Sequence, residues 1–132
     1  RSDLNRRLGI SEKSPDTEDF IAVFENLAEQ TNLSQTDFEH ITKAEIDSLV
    51  EDSYRKWATV LKLQYPSGKR RAKEITLSRF FAQAGISGYF GPFFNEVHIN
   101  RRILPEEYPF VLAHEKAHQF GITSEAEANF YA

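Results

Sequence analysis

The 132-residue sequence predicts an α+β fold. Three observations predict it: apolar residues at helical spacing through the N-terminal half, a short polar–apolar alternation at 96–100, and a second helical stripe from Phe110 to Phe120. The expected order is N-terminal helices, a small sheet with an edge strand, a helix that carries the chemistry and a short C-terminal helix. The length suits one domain, taken as 1–132.

The first helix is expected after Ser14-Pro15-Asp16-Thr17-Glu18, with Ser14 as cap, Pro15 in the first helical position and acids near the positive end of the dipole. Phe20, Ile21, Phe24, Leu27 and Ala28 then recur at helical spacing to about Gln30. Thr36-Asp37-Phe38-Glu39 reads as a capping box that opens a second, long helix through Ile41, Leu49, Val50, Trp57 and Leu61, with room for one break. Tyr65-Pro66-Ser67-Gly68 is turn chemistry, and the basic run Lys69, Arg70, Arg71, Lys73 after it reads as a solvated loop. Residues 74–81 fit either a strand or a helix, with the strand preferred, and the glycines and proline of 84–92 read as a loop. Glu96, His98 and Asn100 share one face of a half-buried strand.

Composition removes several functions. Hydrophobic residues at 40%, with eleven Phe, place the chain outside the disordered class. Sixteen basic and twenty acidic residues leave a net charge of −4, which gives no overall field for nucleic acid or an anionic membrane. Without cysteine there is no disulfide, no thiolate nucleophile and no sulfur-ligated metal, so any metal must be held by His and carboxylates. No apolar run is long enough to span a bilayer, and no signal peptide opens the chain. A start at Arg1 and a stop at Ala132, inside a helix-like stretch, read as a piece of a longer protein.

The chemistry is expected at His114-Glu115-Lys116-Ala117-His118, an H-E-x-x-H sequence. Imidazoles at i and i+4 lie about 40° apart around a helix and about 6 Å along it, so both face one way. That spacing lets two neutral imidazoles bind one Zn²⁺ and leaves Glu115 to hold the attacking water as general base. Phe110, Ala113, Ala117 and Phe120 form an apolar stripe, with Lys116 and Gln119 opposite it. Pro105 or Pro109 suits the first turn and Gly121 the C-terminal cap.

A catalytic zinc site needs a third protein ligand. The position six residues after His118 is Ser124, so the third histidine of a metzincin is absent and a carboxylate is expected. Ser124 and Glu127 read as a capping box, which leaves Glu125 as the ligand and Asn129, one turn later, as its supporting partner; Glu127 stays open as the alternative.

The run His-Glu-Lys-Ala-His-Gln-Phe-Gly from His114, followed by Glu-x-Glu-Ala-Asn-Phe-x-Ala to Ala132, resembles an uncharacterised bacterial family of membrane-anchored, HExxH zinc-metallopeptidase-like proteins, a domain of unknown function. The resemblance extends upstream through Gly85-Ile86-Ser87-Gly88-Tyr89-Phe90-Gly91-Pro92-Phe93-Phe94-Asn95-Glu96 and covers roughly the last third of the chain. The tail is also similar to the Glu-x-x-Ala-Asp or Glu-x-x-Ala-Asn helix of gluzincin peptidases, which implies Glu125 as the metal-binding Glu and Asn129 as its neighbour. Glu125 follows His118 by only seven positions, a shorter gap than thermolysin-like gluzincins use. The resemblance implies a zincin-like fold and transmembrane helices before the soluble region; the side of the membrane does not follow from the motif, and an extracytoplasmic location is the expectation.

In zincins generally, an edge strand beside the motif helix binds extended substrate through its backbone, and Glu96, His98 and Asn100 are the candidates here. His98 could also approach the metal or an oxyanion, with Arg101, Arg102 and Tyr108 as weaker options. The expected function is zinc-dependent hydrolysis of a peptide or protein substrate. The alternative is a pseudopeptidase, a zincin-fold scaffold that binds without cutting.

Overall fold

Residues 4–10, 14, 16–34, 40–68 and 70–132 are described by a computed structural model. The chain divides into two compact units, Arg1–His40 and Ile41–Ala132. In the first, α1 spans Leu4–Leu8 and α2 spans Thr17–Leu33. Asp16, not Ser14, caps α2, because its Oδ1 accepts the Asp19 N–H at 2.8 Å, the bond that satisfies an orphan donor of the first turn. Helix α2 runs three residues past the expected end and buries none of its residues.

The second unit opens with α3, Lys43–Trp57. Its capping box is Thr42 with Glu45: the Thr42 hydroxyl oxygen accepts the Glu45 N–H at 3.3 Å and the Glu45 carboxylate accepts the Thr42 N–H at 2.8 Å. The box expected at Thr36–Glu39 lies outside the described residues. The helix also stops at Trp57, so Val60 and Leu61 belong to the turns that follow.

Strand β1 (Lys73–Glu74), helix α4 (Ser78–Gln83), strand β2 (Gly88–Gly91) and strand β3 (Glu96–Ile99) come next. The stretch expected to be one strand is thus a two-residue strand followed by a helix, and the expected glycine-rich loop contains β2. The sheet order is β1-β3-β2, with β1 parallel and β2 antiparallel to β3. This corrects the edge-strand expectation: β3 lies in the middle, its backbone bonded on both sides, and the edges are β1 and β2.

Two helices complete the unit, α5 at Tyr108–Gln119 and α6 at Glu125–Tyr131. Pro109 sits in the first turn of α5, and Gly121 adopts φ +81° beyond its end, where its N–H bonds His118 O at 2.9 Å. The core is Ile46 of α3, Val97 and Ile99 of β3, and Tyr108 and Leu112 of α5. Tyr108 is therefore a core residue, and burial pushes its phenol up to about 12. The Tyr54 hydroxyl, 4% exposed as a residue, ties α3 to α5 and α6 by bonding Ala113 O at 2.8 Å and Tyr131 O at 3.1 Å. The architecture is α+β, with six helices and a three-stranded open sheet among the described residues. Among those residues no helix is long and apolar enough to cross a membrane.

Candidate metal centre

Helix α5 places His114 and His118 on consecutive turns, with ring centroids 5.0 Å apart and planes nearly perpendicular at 85°. Gly121 ends α5 and α6 begins four residues later, which brings Glu125 back over both rings. The Glu125 carboxylate lies 3.1 Å from His114 Nε2 and 3.6 Å from His118 Nε2. One ligand atom from each of the three residues lies within 4.8 Å of the others.

The remaining ring nitrogens are already engaged. His114 Nδ1 is 2.8 Å from Asn129 Oδ1, and His118 Nδ1 is 2.6 Å from Ile122 O. Both partners are acceptors, so the neutral tautomer that satisfies them carries its proton on Nδ1 and turns the Nε2 lone pair toward Glu125. Ligating histidines are oriented by this kind of bond.

The distances fit a small tetrahedral ion. Two ligands each about 2.1 Å from a tetrahedral zinc are about 3.4 Å apart, close to the 3.1 Å from His114 Nε2 to one Glu125 oxygen and the 3.6 Å from His118 Nε2 to the other. Two imidazoles and one carboxylate are also a donor set that suits zinc.

Glu115 is differently housed. It is 8% exposed, whereas the side chain of Glu125 is 76% exposed. Burial raises the Glu115 carboxyl above the ordinary carboxylate range, His114 and His118 oppose the rise, and Glu125 adds to it. The wall against it is Gly88 of β2: a Cβ there would stand 3.0 Å from Glu115 Cγ and 3.1 Å from Oε1. Only glycine lets the edge strand approach so closely. Phe90 of the same strand stacks on His118 at 6.3 Å, and Phe110 lies 6.4 Å from His114.

The other expected residues are placed apart from this cluster. Val97 and Ile99 face the core, so strand alternation turns Glu96 and His98 to the opposite face of the sheet. There His98 stacks on Tyr89 at 4.7 Å and bonds Glu96 at 3.3 Å, away from α5. Asn100, 1% exposed, bonds Ser78 O and Ile86 O and is structural. The Ser124 cap makes no side-chain bond, so the expected box with Glu127 does not form; Ser124 turns the chain by its backbone alone. Glu127 is half-buried on α6 and outside the three-residue cluster.

Behind the motif lies a network that its polar residues alone did not reveal. Lys116 is fully buried, contrary to the solvent face expected of it: its Nζ meets Asp47, Glu51 Oε1 at 2.6 Å and Arg70 O at 3.0 Å. Arg70, expected in a solvated loop, is 6% exposed, bonds Glu51 at 3.1 Å and lies over the Phe120 and Tyr65 rings at 4.4 and 5.1 Å. A signal was present in α3: Asp47 and Glu51 are acids four apart beside Ile46, Val50 and Tyr54, and paired acids on an apolar face require a buried base. Gln119 is likewise buried and donates to Asn95 O at 2.7 Å, fastening the end of α5 to the β2–β3 turn.

No curated protein and no solved structure matches this chain. A family model described as "Protein of unknown function (DUF3810)" matches residues 1–132, and the chain belongs to that family.

Proposed function

We propose that the chain is a zinc-dependent metallopeptidase with a zincin-like, gluzincin-type site. One observation carries the reading: His114, His118 and Glu125 converge on a volume the size of one ion, while both imidazoles are held through their other nitrogens. A buried carboxylate next to them in sequence completes the set.

His114 and His118 would hold the ion through Nε2 and Glu125 through its carboxylate. When bound, Zn²⁺ supplies Lewis acidity, polarising a scissile carbonyl and bringing the pKa of a water toward neutrality. Glu115 would serve as general base, taking a proton from the attacking water as its oxygen bonds to the carbonyl carbon, and would return it to the amine as the carbon–nitrogen bond breaks. Phe90 and Phe110 flank the imidazoles and shield them from water on two sides.

The test is Glu115→Gln, assayed on a peptide library beside zinc content by elemental analysis. The variant should keep one zinc per chain and lose about 10²-fold or more of the cleavage rate. Undiminished cleavage would falsify the assigned base, and a parent chain that neither holds nor takes up zinc removes the proposal altogether.

A further inference from the structure

We propose that the cleft between α4 and the turn after β3 binds a phosphoryl group. The cleft, of about 540 Å³, is lined by Thr76, Leu77, Arg79, Phe80, Arg101 and Arg102, among others. Three arginines line one concavity on a chain whose net charge is −4, so the local charge runs against the global one. Arg101 has a weak ion pair with Glu74 at 3.8 Å, and Glu74 is shared with Lys43 at 3.2 Å. Arg79 and Arg102 make no ion pair among the described residues.

The backbone that carries these arginines is held from beneath. Asn100 donates to Ser78 O at 3.1 Å and to Ile86 O at 3.0 Å, and its Oδ1 accepts the Arg102 N–H at 3.0 Å. Ser78 Oγ donates to Ile75 O and accepts the Arg101 N–H at 3.4 Å. Both the helix and the turn are thereby ordered before any ligand arrives, which removes much of the ordering cost of binding. Asn100, expected on a substrate strand, is instead what builds this cleft.

The ligand class follows from the donors. A phosphoryl group brings about −1.5 to −2 charges and three strong acceptor oxygens, matching three planar forks better than the two oxygens and single charge of a carboxylate. Phe80 and Leu77 stand at the rim, 67% and 65% exposed, where an apolar portion of the ligand can rest. Inorganic phosphate and the headgroup of an anionic phospholipid present the same oxygens, and only the second would use that rim.

The full chain is titrated with inorganic phosphate and followed by amide resonances, and in parallel floated with vesicles of phosphatidylcholine with or without phosphatidylglycerol. The expected result is saturable shifts confined to residues 76–80 and 100–102. In Arg79→Gln/Arg102→Gln, whose changes are on exposed side chains, the affinity should fall at least tenfold. Flotation only with phosphatidylglycerol, lost in the same double variant, identifies the lipid as the source; phosphate binding without flotation identifies the free anion. His114→Ala should bind as the parent does. Absence of both kinds of binding, retention by the double variant, or loss in His114→Ala overturns the assignment.

Discussion

The two sides of α5 are both polar, yet they are opposites in hydrogen bonding. On one side His114 and His118 have one nitrogen satisfied each and the other left facing Glu125, an arrangement that leaves acceptor capacity for a cation. On the other, the three donors of Lys116 meet three oxygens, from Asp47, Glu51 and Arg70, so the ammonium is fully engaged, while Nη1 and Nη2 of the buried Arg70 have no hydrogen-bond partner among the described residues. The first side is open to solvent through Glu125; the second is sealed by α3 and the Arg70 segment. A buried charge network thus fixes the face of α5 opposite the imidazoles.

Breaking the sealed side should have the largest effect. Lys116→Ala takes the cation from the buried Asp47 and leaves Glu51 with Arg70 alone, and removing one partner of such a network costs about 3–5 kcal/mol. Urea denaturation of the variant measures it, and a loss below about 1 kcal/mol means that the network is not what holds α5. Zinc affinity in this variant should fall with stability, since the imidazoles are spaced by the same helix.

On the open side the expected effect is smaller and different in kind. Asn129→Ala removes the acceptor that holds His114 Nδ1. Loss of such an orienting partner weakens metal binding by about 10–100-fold, and the exposed position of Asn129 leaves folding stability nearly unchanged. Competition against a chelator measures the first and thermal unfolding the second. Equal metal affinity in the variant would show that the Ile122 carbonyl on His118 suffices to set the pair.

The smallest expected effect is a pH dependence from Glu51 on the sealed side. Burial pushes the Glu51 carboxyl up, but hydrogen bonds from Lys116 and Tyr65 and the charges of Lys116 and Arg70 outweigh it, so the group lies below its ordinary range. A carboxyl lowered on folding contributes stability that is complete above the unfolded-chain pKa, about 4.3, and is lost as pH falls through the folded value. Urea midpoints should therefore hold from neutral pH down to about pH 5 and drop below it, and Glu51→Gln should flatten that drop. An equally steep acid loss in Glu51→Gln would place its origin elsewhere.

Local signals in the sequence reached far on the open side. The spacing of His114 and His118, the proline of the first turn and Gly121 at the end are properties of one helix, and they foretell where that helix lies and which way the imidazoles point. Glu125 was less legible, because the Ser124–Glu127 capping box that would single it out does not form. On the sealed side local reasoning failed because the apolar stripe counted Lys116 and Gln119 as solvent-facing, whereas a charge can be buried when another segment brings compensating oxygens. The sheet failed similarly: alternation places β3 on a face but says nothing of how many neighbours it has.

What the sequence determined alone is the α+β alternation and the presentation of two imidazoles on one helix face, because helical geometry acts over four residues and needs no partner. Tertiary structure decided that Glu125 lies over both rings, that Gly88 makes room for Glu115, that β3 is central and that Lys116 is buried. Each of these depends on segments far apart in the chain meeting at a few ångströms, a distance set by packing and by the pairing of buried charges rather than by any local pattern.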